Sequence, residues 1–158
     1  MPNESKSKEL TVGWREWVGL PDLGIDLIKA KVDTGARTSA IHAFDIRPVG
    51  EKDRPEVEFK VQPNQRDSNT TVTCRADVVD ERTVTNSGGQ REKRWVVSTV
   101  LSIGGHRWPI ELTLTSRKKM KFRMLLGRTA IRHQAVVDPS RSYIVGKKPR
   151  RKVKKNNA

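Results

Sequence analysis

One cysteine, Cys74, stands in a chain of 158 residues, so no disulfide can form within it. That count fits a reducing cytoplasm, the expected location, as it would fit a secreted protein that uses no disulfides. Aromatic residues are 5% of the chain, and Phe122 and Tyr143 stand isolated, so no platform for stacking nucleic-acid bases is evident. No apolar run approaches the roughly 20 residues that cross a bilayer, and no leader-like segment opens the sequence, so no membrane partner is expected. The phosphate-cradling Gly-x-x-x-x-Gly-Lys-Ser/Thr loop is missing, and so is His-Glu-x-x-His. His42, His106, His133 and Cys74 include no two at a close metal-binding spacing. Neither a nucleotide, a zinc ion nor any other cofactor is therefore expected.

Charge is what the chain has in excess. Thirty-two Lys and Arg face 18 Asp and Glu, a formal net charge of +14 with a pI near 10.4. The closing stretch "KKPRRKVKKNNA" holds seven of the basic residues and no acid; without them the remainder still carries +7. With hydrophobic residues at only 34%, part of the chain is expected to stay unpacked. Residues 1–9 read as a disordered arm, 10–146 as one domain and 147–158 as a disordered basic tail. Such a tail attracts nucleic acid only non-specifically.

Within the domain the patterning is that of strands. "LTVGWREWVGL" (10–20) mixes apolar and polar residues at short spacing, and "GIDLIKAKV" (24–32) alternates, with Ile25, Leu27 and Lys29 on one face and Asp26, Ile28 and Ala30 on the other. Further strands are expected over 40–49, 56–61 and 70–79, then a long hairpin turning around Ser87, Gly88 and Gly89. Gly104 and Gly105 lead into "HRWPIELTLTS", where Pro109 suggests an edge position. One short helix fits "RTAIRHQ" (128–134), and "AVVD" and "SYIV" read as closing strands. The expected class is mainly β, a small closed or partly closed barrel with one short C-terminal helix. Trp14, Trp17, Trp95 and Trp108 are assigned to core or interface rather than to substrate.

The chemistry-bearing stretch is "KVDTGARTS" (31–39). Taken alone, Asp-Thr-Gly after a strand fits an ordinary turn as well as half of an active site. Its counterpart lies far along the chain: "MLLGRTAI" (124–131), an apolar strand that ends in glycine before a helix. The pair resembles the retropepsin-like aspartic peptidases. "KVDTGARTSAIHA" with the later "LLGRTAI" is similar to the bacterial and archaeal family once labelled ATP-dependent zinc proteases and since grouped with them; the likeness covers roughly residues 11–145.

The resemblance implies a retropepsin-like barrel active as a homodimer, since the chain has a single Asp-Thr-Gly. Two carboxyl groups held together cannot both ionise cheaply, so one takes a proton from water while the other gives one to the carbonyl oxygen. Asp33 would come from each subunit across a two-fold axis. Thr34 would bond across that axis, Gly35 would allow close approach, and Ala36 would fit behind. Leu125, Leu126 and Gly127 would pack beneath the loop. Viral members pair an acid four residues after the catalytic Asp with the arginine after Leu-Leu-Gly; here those positions hold Arg37 and Arg128, so that ion pair cannot form. The Gly88-Gly89 hairpin reads equally as a flap over substrate or as a plain exposed turn. The family's members often accompany ATP-grasp ligases that add glutamate-type residues. The implied substrate is thus a peptide or protein, acidic in the reading the charge favours, guided by Arg37, Arg128 and "RKKMKFR" (117–123). The contrasting reading is a non-catalytic basic module that binds nucleic acid or an acidic partner.

Overall fold

The structure, a computed structural model, describes residues 10–64, 70–85, 88–116 and 121–145. The expected arm 1–9, the tail 147–158, Ser87 and residues 117–120 of the basic segment lie outside the described residues. The architecture is mainly β, as the patterning implies. Among the described residues eleven strands are formed: β1 (Leu10–Gly13), β2 (Arg15–Leu20), β3 (Ile25–Val32), β4 (Ser39–His42), β5 (Phe44–Glu51), β6 (Arg54–Val61), β7 (Val72–Thr85), β8 (Arg91–Ile103), β9 (His106–Thr115), β10 (Met124–Leu126) and β11 (Ala135–Asp138). A 3-10 turn, Pro21–Leu23, and a four-residue helix α1, Arg128–Ile131, complete the described elements.

Six strands close a barrel in the order β2-β3-β10-β4-β9-β8, and β8 returns to β2 at Gly19 and Ser102. From β8 the sheet continues outward as an antiparallel run through β7, β6 and β5. A separate parallel pair joins β1 to β11. Ile28, Ile41, Leu101, Leu112, Leu114, Met124 and Leu126 fill the barrel and are fully buried. Val57, Phe59, Val61 and Cys74 extend the same apolar cluster beneath the outer strands. No helix among the described residues is long and apolar enough to cross a membrane.

The strict alternation read for β3 breaks at one point. Ile28, Ala30 and Val32 face the core, yet so does Ile25. The register against β2 shifts between the Val18–Ile28 and Leu20–Ile25 pairs, and a one-residue slip moves a side chain to the other face. The stretch 10–20 is likewise two strands rather than one, because the chain turns out of the β1–β11 pair at Trp14 and enters the barrel. Pro109 sits on an interior strand, not an edge. Its proline is tolerated because β9 pairs with β4 only from Leu112 onward, so near Pro109 the ladder has a partner on one side alone.

"SYIV" is no strand. Its backbone is taken by a carboxylate instead. Glu16, completely buried on β2, accepts the N–H groups of Gly13 at 2.7 Å and Ile144 at 3.0 Å on Oε2, and that of Val145 at 3.1 Å on Oε1. The Tyr143 N–H donates to the Arg15 carbonyl at 2.9 Å, and the Arg15 guanidinium lies 4.4 Å from the Trp14 ring and 4.9 Å from the Tyr143 ring. Trp17 stacks on Tyr143 with centroids 6.4 Å apart. The end of the described chain is thus strapped across the outside of β2.

Removing that carboxylate leaves three backbone donors without their acceptor, at about 1–3 kcal/mol for each buried one. Glu16→Ala is expected to lower unfolding free energy by about 3 kcal/mol or more, and Glu16→Gln by less, since one oxygen remains to accept. Denaturant titration measures the loss, and hydrogen exchange should show lost protection at Ile144 and Val145; unchanged protection there contradicts the strap. A second expectation concerns Cys74. Burial pushes its thiol from 9.0 up to about 12, while Sγ donates to the Leu23 carbonyl at 3.4 Å. A thiol reagent at about pH 8 should leave Cys74 unmodified until the protein unfolds. Because the folded value is the raised one, its stabilisation is complete below pH 9.0 and fades as pH rises toward about 12. Rapid labelling of the native protein would refute this.

Candidate active site

The site is set by threading. Strand β10 lies between β3, to which it runs parallel, and β4, to which it runs antiparallel. The loop 33–38 that joins β3 to β4 must therefore cross the C-terminal end of β10. Backbone bonds hold it there: the Asp33 N–H donates to the Leu126 carbonyl at 2.8 Å, Arg128 to the Ala36 carbonyl at 2.8 Å, and Thr129 to the Arg37 carbonyl at 3.1 Å. The Thr129 hydroxyl adds a second bond to that same carbonyl at 2.8 Å. The two motifs separated by some ninety residues of sequence are one substructure.

Inside the loop the Ala36 N–H closes a turn onto the Asp33 carbonyl at 3.1 Å. The Gly35 N–H donates to Asp33 Oδ1 at 3.1 Å, which fixes the orientation of the carboxylate. Asp33 is half-buried, while Thr34 and Gly35 are exposed at the crest. A Cβ at Gly35 would lie 3.3 Å from Asp33 Oδ1. Gly127 is more tightly constrained, for a Cβ there would stand 2.6 Å from the Thr38 carbonyl carbon. Any larger residue would force β10 away from the loop.

Leu125 and Leu126 are buried under the loop, and Ala36 is half-buried behind it. Arg37 and Arg128 are both exposed and neither meets an acid among the described residues. Arg128 instead donates from Nη1 to the Gly35 carbonyl at 3.2 Å. The helix expected over 128–134 ends at Ile131, with His133 in the left-handed region at φ 68°. Gly88 and Gly89 lie at the turn between β7 and β8, and Gly89 has φ 83° with open space around it. His42 and Cys74 are buried, and no group of three or more His, Cys, Asp or Glu among the described residues is placed to share a metal ion.

Three contributors have no counterpart in the motif reading. Ser39 is fully buried and its hydroxyl accepts the Gly127 N–H at 3.0 Å, tying β4 to the glycine that ends β10. Trp108 donates its indole N–H to the Ala130 carbonyl at 2.8 Å and so anchors α1. Arg82, on β7, donates from Nη1 to Thr38 Oγ1 at 3.4 Å and links the long hairpin to the Asp33 loop. A hydroxyl directly after the loop was the one visible hint of the first; the other two depend on strand register.

Comparison with known proteins bears on the family and the fold. The RimB-like family, described as retropepsin-like aspartic endopeptidase RimB, matches residues 11–148. A Shewanella pealeana protein named probable alpha-L-glutamate ligase is 46% identical over 137 residues, which are 87% of this chain and 30% of that protein. One of the same name from Parasynechococcus marenigrum is 42% identical over 140 residues, 89% of this chain and 30% of its own. The chain thus spans about three-tenths of the length of these curated relatives. A Legionella pneumophila protein of unknown function (DUF785) has a crystal structure that superposes with a TM-score of 0.73 at 27% identity, covering 86% of this chain and 98% of that one. From the family match over nearly the whole described domain, the chain belongs to the RimB-like family of retropepsin-like aspartic endopeptidases.

Proposed function

We propose that the protein hydrolyses peptide bonds as a homodimer in which Asp33 of each subunit supplies half of the catalytic pair. The observation that carries this reading is the Asp33 loop itself. Its acid is oriented by the Gly35 N–H and its crest, Thr34-Gly35, is exposed where a second copy can approach. One Asp-Thr-Gly occurs in the sequence, so the second acid has to come from another chain. With two carboxyl groups sharing one proton, the ionised one draws a proton from water as the water attacks the carbonyl carbon. The protonated one donates to the carbonyl oxygen, and collapse of the tetrahedral intermediate returns a proton to the departing amine. In this reading Thr34 locks the two loops across the axis, and Leu125, Leu126 and Gly127 keep each loop in shape.

The same reading extends to substrate. The curated relatives carry this domain as part of chains named for glutamate ligation, and the domain here is strongly basic. An acidic peptide, of the kind a glutamate ligase would produce, is the proposed substrate, and a ligase is the proposed functional partner. Residues 10–146 form the proposed catalytic domain. The turn at Gly88-Gly89 is the proposed flap, because Arg82 on the same hairpin already touches the catalytic loop at Thr38.

Asp33→Asn is expected to reduce kcat on an acidic peptide by about 10²–10⁴-fold with the fold and dimer unchanged. Mixing that variant in equal amount with wild type, and letting subunits exchange, leaves about one quarter of dimers with two acids. Activity per wild-type chain should then fall by about half; no fall means that the site is complete in one chain. A non-catalytic basic module would instead show no hydrolysis to lose, and its nucleic-acid association would depend on residues 147–158. Electrostatic guidance adds a separate expectation: kcat/KM on the acidic peptide should drop about 10-fold or more as added salt screens the charges, while a neutral peptide is little affected. A salt-independent rate on the acidic peptide would remove the guidance.

A further inference from the structure

Beside the Asp33 loop lies a cleft of about 460 Å³, lined by Arg37 and Thr38 of the loop, Arg82 of β7, Ile110 and Glu111 of β9, and Thr129 of α1 among others. Its volume suits a side chain or a short peptide segment. Its two cations are held differently. Arg82 is fixed: Nε donates to Asp80 Oδ2 at 3.0 Å and Nη1 to Thr38 Oγ1 at 3.4 Å. A guanidinium has five N–H donors in one plane, so three of them remain without a partner among the described residues. Arg37 is exposed, and its guanidinium makes no hydrogen bond or ion pair among the described residues, while its carbonyl is locked by Thr129. Arg94 stands directly opposite Arg82 in the β7–β8 ladder, which adds a third guanidinium to the same face. Like charges set opposite each other destabilise a ladder unless an anion separates them. Asp80 pairs with the Nε of Arg82, and Glu92 with Nη2 of Arg94.

We propose that Arg82 and Arg37 form a receptor for a carboxylate of the bound peptide, the specificity subsite next to the catalytic loop. The proposal rests on the peptidase reading and deepens it, and it moves the substrate-guiding role from Arg128 to Arg82. Arg128 bonds the Gly35 carbonyl and does not line this cleft, whereas Arg82 lines it and presents a guanidinium oriented by Asp80 and Thr38. Such preorganised forks favour planar, paired hydrogen bonds to carboxylate oxygens, which a lysine cannot reproduce. Arg82 is also the contact between hairpin and loop, so a carboxylate that joins Arg82 to Arg37 draws the hairpin onto the loop as the substrate seats. Glu111 faces the same cleft and pairs with neither arginine within ion-pair distance. Its role is to repel a carboxylate that enters on the β9 side, which sets the direction of entry.

The test measures binding in the full-length Asp33→Asn protein, where turnover does not interfere. The probes are N-acetylated tetraglutamate and tetraglutamine peptides, each with a free or an amidated C-terminus, titrated calorimetrically. The glutamate peptide is expected to bind at least about 10-fold more tightly, and Arg82→Gln or Arg37→Gln to remove about 10-fold of that preference without weakening the glutamine peptide. Arg82→Lys should restore only part of it, and Glu111→Gln should strengthen the glutamate peptide. Glutamate preference kept after amidation assigns the receptor to side-chain carboxylates; amidation that weakens both peptides alike, and does so only with Arg82 and Arg37 intact, assigns it to the C-terminal one. Equal binding of the two peptides that amidation leaves unchanged, or a carboxylate dependence untouched by all three arginine variants with thermal unfolding unchanged, overturns the proposal. Should Arg82→Gln fail to fold, the Arg82→Lys and Arg37→Gln proteins carry the decision. The outcome separates from that of the peptidase reading: carboxylate preference without hydrolysis by wild type leaves the receptor and removes the peptidase. Hydrolysis without carboxylate preference removes only the receptor.

Discussion

The insertion of β10 between β3 and β4 is the constraint from which the rest of the molecule follows. A strand so placed obliges the β3–β4 connection to step over its end, and the step is short: six residues, 33–38, separate Val32 from Ser39. A connection that tight has its backbone polar groups near the core, where each needs a partner. The partners are the Leu126 carbonyl below Asp33 and the Arg128 and Thr129 N–H groups that point back from α1. The same bonds that satisfy the backbone therefore present an acid at a fixed height on an exposed crest. Shape and chemistry are one requirement here. The glycine that ends β10 belongs to it, because a side chain at Gly127 would collide with the loop backbone at Thr38.

A second constraint acts at β2, the neighbour of β3 in the barrel. β2 takes part in two ladders, with β3 and with β8, and on its outer side it receives the strap 141–145 through one buried carboxylate. Burying an acid without partners costs several kcal/mol, and three backbone donors are what make it tolerable. Glu16 thus substitutes for a strand partner: it gives the strap acceptors where the ladder has none to offer. The Arg15 guanidinium, lying between Trp14 and Tyr143, closes the strap from outside through its attraction to both ring faces. Trp14 and Trp17 are therefore committed to packing, as is Trp108 through its bond to α1.

Much of this is legible in the order of residues, and the pattern of what is not is instructive. The strands show because alternation is local: Ile28, Ala30 and Val32 can be read without knowing any neighbour. The site shows because Asp-Thr-Gly and Leu-Leu-Gly are short, rigid and chemically marked. What escapes is whatever depends on a partner far along the chain. Ile25 changes face because of a register slip against β2. "SYIV" has the composition of a strand yet is held by a side chain 128 residues away. Arg82 looks like any charged residue in a hairpin until the ladder brings it to Thr38. Helix length fails for a similar reason, since the chain after Ile131 must turn back to pair β11 with β1, and His133 takes the positive φ that the reversal needs.

The pairing of Arg37 with Arg128 shows how a motif can lose one of its interactions and keep its form. In the viral arrangement an acid and an arginine join the two positions. Here Thr129 bonds the Arg37 carbonyl twice, and Arg128 reaches the Gly35 carbonyl, so neutral and charge-assisted bonds to the main chain do what the ion pair does elsewhere. An exposed ion pair contributes about 0–1 kcal/mol, and a hydrogen bond to the main chain about 1 kcal/mol, so the exchange leaves stability nearly unaltered. Its consequence is electrostatic. Replacing the acid by Arg37 changes the local charge by two units and leaves a guanidinium facing outward on the rim of the cleft beside Asp33. A negative group on that rim would be repelled by an acidic peptide and would be drawn to Arg128; a positive one does neither. The scaffold tolerates both choices because the loop is fixed through its backbone, and that independence leaves the side chains around Asp33 free to vary.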